Sequence, residues 1–235
     1  MPRWLKQVVA VLLLPLCLGA SQALFWVLAQ GGGPLEGAGE NGRFRVWTRE
    51  QVWVALLAGG ACWWVIYLML PKPLWAYVMG HEVTHVLWTW LFGGRVKRFR
   101  ATPRGGHVIV TRANFLIILA PYFFPIYALV VALVYGVAAW FWEGDRYRLP
   151  FLLLLGAAYA FHLTLTWHAL QTEQTDVSSQ GHFFSAVIIW LGNVAVLLLG
   201  LPLLLDVSFS ETARELGRGT WEVVRGVLRV LGFPD

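Results

Sequence analysis

The chain has 235 residues, of which 58% are hydrophobic and only 13% are charged. An average soluble domain carries about a quarter charged residues, so this composition excludes an ordinary soluble domain. The net charge of +5 comes from basic residues in loops and near the C-terminus, as in many membrane proteins, and does not predict a nucleic-acid partner. Cys17 and Cys62 both lie in apolar segments, which indicates neither a disulfide framework nor a cysteine metal cluster.

Six long apolar segments follow one another along the chain, each near the ~20 residues that a helix needs to cross a bilayer. They predict an all-α membrane protein with about six transmembrane helices, built as one integral membrane domain over residues 1–235 with its core at 74–205. A chain this compact is typical of a multi-pass protein of the bacterial cytoplasmic membrane. The segments comprise residues 7–28, 52–70, 74–92, 114–140, 149–169 and 183–205.

The first segment combines features of a secretory signal and of a membrane anchor. Arg3 and Lys6 precede it, and residues 20–23 resemble a small-residue cleavage site. Because the segment stays apolar through Leu28, we expect a retained anchor. The polar, glycine-rich residues 31–50 predict an exposed loop.

Prolines divide the middle of the chain. Pro71 and Pro73 predict a tight turn between the second and third segments, since proline fits the first turn of a helix. Pro121 and Pro125 lie within the fourth segment and predict a kink or a break, which a membrane protein tolerates mainly where protein or water lines the site.

The third segment is followed by a turn signal and a β pattern. Gly93 and Gly94 predict the end of a helix, and residues 95–101 and 107–111 predict the two strands of a β-hairpin. At the other end of the chain, residues 206–235 predict an amphipathic helix on the membrane surface.

Three residues of the third segment have the spacing of a metal site. His81 and His85 stand four apart, ~40° around a helix axis and ~6 Å along it, so both imidazoles can bind one metal ion, for which zinc is well suited. Glu82 points away from direct ligation but can reach a nearby water, which makes it the candidate general base. These residues could instead form hydrogen bonds in a helical core. However, Glu82 is the only Asp, Glu, Lys or Arg within the six segments, where an ionisable group is costly without a function.

A zinc site needs a third protein ligand, and the candidates cluster after the fifth segment. Asp176 is the preferred ligand, and His168 and Glu173 stay open because spacing does not rank them. Asp176 could instead cap the helix that leads into the sixth segment. His162 is expected to be a hydrogen-bonded core residue, and His107 to begin a strand, so neither is expected to bind the metal.

The chain resembles the site-2 protease family of intramembrane zinc metallopeptidases. The resemblance rests on the His-Glu-Val-Thr-His motif at residues 81–85, the Gly-Gly-Arg-Val sequence at 93–96 and the glycine-containing hairpin after it. It covers residues 74 to about 182. Family members usually place Asn and Pro before the ligating aspartate and Gly after it, whereas Thr175 and Val177 flank Asp176.

The resemblance implies a function and a set of roles. His81, His85 and Asp176 would bind Zn²⁺, Glu82 would act as general base, and the substrate would be a membrane protein or peptide. It also implies that the strand edge at residues 108–110 holds an extended substrate segment by main-chain pairing. The oxyanion of such a reaction needs a donor, and three residues are candidates. They are Asn114, Thr166 and Asn193.

Other functions compete with proteolysis. A metal or ion transporter could use the two histidines and Asp176 as a transit site, and a catalytically inactive membrane scaffold could keep the same helices. Among enzymes, a membrane zinc protease with Glu173 as third ligand is the alternative. Six basic residues between positions 93 and 113 favour a cytoplasmic hairpin.

Overall fold

The computed structural model describes residues 2–30, 48–103, 105–142, 144–205 and 207–232. These residues form mainly α-helices and one two-stranded antiparallel sheet, which confirms the helical fold with a small hairpin. Most of the predicted loop at 31–50 lies outside the described residues. The helices are α1 (Arg3–Gln30), α2 (Arg49–Met69), α3 (Leu74–Leu91), α4 (Phe115–Leu119), α5 (Ile126–Phe141), α6 (Arg148–Leu170), α7 (Thr175–Gln180), α8 (His182–Leu205) and α9 (Phe209–Val230), and the strands are β1 (Val96–Thr102) and β2 (Gly105–Val110).

Several of these helices can cross a membrane. In the described part of the chain, α1, α2, α6 and α8 are long and apolar enough, and α4 with α5 would add a fifth span if the bent pair crosses as one. The fold is therefore compatible with a multi-pass membrane protein, with four or five candidate spans where the sequence predicts about six. The third apolar segment does form a helix, α3, but it is not among these candidate spans, since His81, Glu82 and His85 interrupt its apolar sequence.

The break in the fourth segment occurs where its prolines predict it. Between α4 and α5 lies a 3-10 turn at Ala120–Tyr122, which contains Pro121. Pro125 then occupies the N-cap position of α5. The two parts meet at 80°, because neither proline can donate the backbone hydrogen bond that a continuous helix needs.

The described residues form two compact units, one of which contains α2 to α6 and the hairpin. In this unit α2 and α6 approach each other through glycines. A Cβ atom at Gly59 would lie 1.9 Å from the carbonyl oxygen of Leu153, and one at Gly156 would lie 2.0 Å from the carbonyl oxygen of Leu56. The two backbones therefore touch, as is common where small residues join helices in membranes.

Helix α3 packs against both strands and against the 3-10 turn at Ala120–Tyr122. It ends at Leu91 and is followed by Gly93, whose φ of 68° favours glycine, while the N–H of Gly94 donates to the carbonyl of Thr89. This compact ending turns the chain directly into β1. The hairpin consequently lies beside the helix that carries the histidine motif.

The other unit contains α1 and the helices from α7 onward. Here α1 packs against α8 and, more extensively, against α9. A Cβ atom at Gly19 would lie 2.4 Å from the backbone nitrogen of Thr220, so α1 and α9 also meet at a small residue. Ser208 caps α9 by accepting a hydrogen bond from the N–H of Ser210. The membrane-surface position of residues 206–235 stays a prediction.

Candidate metal centre

The two histidines of α3 lie side by side. The ring centroids of His81 and His85 are 5.0 Å apart, as the i,i+4 spacing predicts. Glu82 lies on the same helix turn with 6% of its surface exposed. Helix α3 therefore holds two imidazoles and a buried carboxyl group within about one turn.

Residues of α4 and of the 3-10 turn after it contact both imidazoles. The Nδ1 atom of His85 lies 2.8 Å from the carbonyl oxygen of Ile117. Because a carbonyl only accepts hydrogen bonds, Nδ1 carries the proton and the lone pair of Nε2 is left for a metal ion. The ring of His81 packs edge-on against Tyr122, with centroids 5.3 Å apart.

Asp176 joins the two histidines in a group that could hold a metal ion. Each of the three residues offers one ligand atom, and these atoms lie within 4.8 Å of one another. His168 and Glu173 do not belong to any such group among the described residues. Asp176 lies in the first turn of α7, the short helix that leads into α8, so the alternative that it caps this helix stays a prediction.

The first residues of β2 lie against the candidate general base. A Cβ atom at Gly106 would lie 2.6 Å from Cγ of Glu82 and 2.7 Å from its Oε1, so the strand can come this close only because residue 106 is a glycine. Sequence reasoning missed this role. The available signal was the pair of adjacent glycines at positions 105 and 106, within the glycine-containing hairpin.

The other candidate residues lie in different surroundings. His162 is buried in α6, as expected of a core residue, but its Nε2 atom has no hydrogen-bond partner within the described ranges. His107 is exposed on β2, opposite Arg100. Asn114 accepts a hydrogen bond as the N-cap of α4, and Asn193 donates to the backbone of α8.

A small cavity adjoins His81 on the side that faces α5 and α6. Its walls include Tyr127 and Phe161, and His162 contributes to the lining. The hydroxyl of Tyr127 donates to the carbonyl oxygen of Ala76, which fixes this wall to the first turn of α3. The cavity and the metal-binding face of α3 therefore share one residue, His81.

Comparisons of this chain with protein-family models, with curated proteins and with solved structures found no match.

Proposed function

We propose that the protein is an intramembrane zinc metalloendopeptidase that hydrolyses peptide bonds of membrane-spanning or membrane-adjacent substrates. One observation carries the proposal. The ligand atoms of His81, His85 and Asp176 lie within 4.8 Å of one another, and the buried carboxyl group of Glu82 lies next to His81 in the chain. The three ligands supply a metal site and Glu82 supplies a proton acceptor, whereas a purely structural metal site needs no proton acceptor.

The donor set fits zinc. Two imidazole nitrogens and one carboxylate oxygen are typical protein ligands of a catalytic zinc site, which keeps its fourth position open. The hydrogen bond from His85 to Ile117 supports this fit, because metal-binding histidines usually donate their second ring N–H to a carbonyl or carboxylate. When bound, zinc would supply a Lewis acid that polarises the scissile carbonyl and lowers the pKa of a water molecule.

Glu82 would perform the proton transfers. It accepts a proton from the attacking water as the water oxygen forms a bond to the carbonyl carbon of the substrate. The same carboxyl group then delivers the proton to the departing nitrogen as the C–N bond breaks. Burial of Glu82 favours both steps, since few bulk water molecules compete for the proton.

The candidate membrane spans support the substrate class. Four or five candidate spans occur among the described residues, and the helix carrying Glu82 contacts several of the remaining elements of its unit. A peptide bond must therefore approach from the bilayer or from its edge. The exposed Ile109 and the half-buried Val108 lie in β2, the strand whose residue Gly106 lies against Glu82. This supports the hairpin as the place where an extended substrate segment pairs.

The metal is tested by elemental analysis of the purified protein. We expect about one zinc ion per chain in the wild type and in Glu82→Gln, because the glutamate is not a ligand. Asp176→Ala should lose most of the zinc after dialysis, whereas the matched variants Glu173→Ala and His168→Ala should keep it. If Glu173→Ala loses zinc and Asp176→Ala keeps it, the third ligand is Glu173 and not Asp176.

Catalysis is tested with the same proteins in lipid vesicles that contain a library of single-span peptides. The wild type should cleave some of these peptides, and Glu82→Gln should be slower by a factor of about 10²–10⁴ while still binding zinc. A Glu82→Gln protein that moves zinc across the vesicle membrane as fast as the wild type would indicate a transporter instead. Intact peptides with the zinc-loaded wild type would indicate a scaffold.

A further inference from the structure

We infer that β2 positions the carboxyl group of Glu82, and that Gly106 is the residue that makes this contact possible. The inference rests on the proposed function, because it assigns a task to Gly106 only if Glu82 is the general base. Gly106 touches no substrate in this proposal. It is a positioning residue that acts through Glu82.

The close approach is the first step of the argument. A Cβ atom at position 106 would lie 2.6 Å from Cγ of Glu82 and 2.7 Å from its Oε1. Such distances are far shorter than carbon and oxygen atoms tolerate, so the backbone of residue 106 forms a wall against the glutamate side chain. Glu82 is only 6% exposed, which leaves its side chain little room to move away.

The rigidity of this wall is the second step. Gly106 pairs with Ala101 in the hairpin ladder, and its missing Cβ would also lie 2.7 Å from the carbonyl oxygen of Arg100. A side chain at position 106 thus meets the β1 backbone on one side and Glu82 on the other. Because β1 also packs against α3, the strand cannot retreat freely, and the glutamate must shift.

Glycine is required here for space and not for backbone conformation. Gly105 has a φ of 132°, whereas Gly106 is not among the glycines with positive φ. An alanine at position 106 therefore strains the contacts and not the turn. This distinction makes Gly106→Ala a specific probe of the contact with Glu82.

Displacement of a catalytic group by about 1 Å can reduce a rate by about 100-fold. We expect Gly106→Ala to lower kcat by about 10-fold to 100-fold with the zinc content and KM unchanged, because the atoms nearest to a Cβ at position 106 belong to Glu82 and Arg100 and not to a metal ligand. Gly136→Ala is the matched control, since a Cβ atom at Gly136 meets nothing within 4 Å. An unchanged kcat in Gly106→Ala would overturn the inference.

A double-mutant cycle separates positioning from a general effect on the hairpin. In the Glu82→Ala background the Cγ and Oε1 atoms are gone, so Gly106→Ala should lower the melting temperature less than it does in the wild type. If the two decreases are equal, Gly106 contacts only the strand, and the inference is wrong. The melting temperatures do not depend on activity. A wild type that binds zinc and cleaves nothing would therefore refute the proposed function and leave the contact between Gly106 and Glu82 to be tested by the cycle.

A cross-link tests the contact even if Gly106→Ala does not fold. The Cγ distance and one C–C bond of about 1.5 Å place the Cβ atoms of residues 82 and 106 within about 4 Å, which suits a disulfide. The pair Glu82→Cys and Gly106→Cys, in a chain without Cys17 and Cys62, should oxidise within the full-length protein. The pair Glu82→Cys and Lys97→Cys should not, and equal oxidation of both pairs would overturn the inference.

Discussion

Three residues show how a single backbone carbonyl can prepare a metal ligand. Asn114 caps α4 by accepting a hydrogen bond from the N–H of Ile117 at 2.8 Å, and the carbonyl of Ile117 accepts a hydrogen bond from Nδ1 of His85 at 2.8 Å. The cap therefore holds the residue that fixes the histidine tautomer. Such outer contacts typically change metal affinity by about 10-fold to 100-fold when they are lost.

We predict that Asn114→Ala weakens zinc binding by about 10-fold, because α4 loses its cap and the carbonyl of Ile117 loses its fixed position. Asn114→Asp should keep the wild-type affinity, since an aspartate caps equally well. The affinity is measured by competition with a chelator of known zinc affinity. Equal weakening in the two variants would mean that the amide of Asn114 acts in another way, for example on the substrate.

The sequence predicted the local part of this site and not its long-range part. His81 and His85 could be paired because four residues of a helix fix their relative positions, and Glu82 could be singled out because a charged group is costly in an apolar segment. The choice among Asp176, Glu173 and His168 depends on how α6 ends and α7 begins. The contact of Gly106 depends on how a hairpin packs on α3, and no local pattern determines either arrangement.

At the scale of elements, α2 packs on α6 although it is joined in sequence to α3. Pro71 and Pro73 correctly marked the end of one helix and the start of the next, but a short connection does not determine which faces pack. In a bilayer, close packing of small residues drives association instead of burial of apolar surface. Gly59 and Gly156 provide that close approach.

We predict that Gly59→Ala destabilises the protein and that Gly60→Ala does not. A Cβ atom at Gly59 would overlap the carbonyl oxygen of Leu153, whereas one at Gly60 would lie 3.8 Å from Cβ of Ala160, an ordinary contact. Gly59→Ala should cost about 1–3 kcal/mol, as overpacking usually does, and Gly60→Ala should be neutral or slightly stabilising because alanine favours helices. Unfolding in detergent provides the measurement, and similar stabilities of the two variants would contradict this packing.

A buried hydrogen bond between α2 and α6 shows why the polar residues of the sequence did not predict that these two helices pack together. Nε1 of Trp63 donates to Oγ1 of Thr164 at 2.8 Å. Tryptophan and threonine are both compatible with an apolar segment, so their pairing leaves no mark in the hydropathy. By contrast, the proline break and the glycine-rich hairpin depend on backbone restrictions of single residues, and both were predicted correctly.

At the scale of the whole chain, hydropathy predicts about six spans, and four or five candidate spans occur among the described residues. The two counts differ because α3 carries the His-Glu-Val-Thr-His motif and because the α4–α5 segment is broken at its prolines. The distribution of charged residues gives more information than hydropathy on which side of the membrane the hairpin faces. The described cations between positions 93 and 113 are all exposed, and this segment contains no acidic residue. They are Arg95, Lys97, Arg98, Arg100 and Arg112.

We predict from this charge that the hairpin faces the cytoplasm, because short loops rich in Lys and Arg stay on that side. In a chain without Cys17 and Cys62, the single cysteine of Lys97→Cys should react with a membrane-impermeant maleimide in inside-out vesicles and stay unlabelled in right-side-out vesicles. Labelling after detergent treatment controls for the reactivity of the thiol, which is expected to be high because Lys97 is exposed. The opposite pattern would place the hairpin on the outer side, and substrate segments would then reach Glu82 from the outer side.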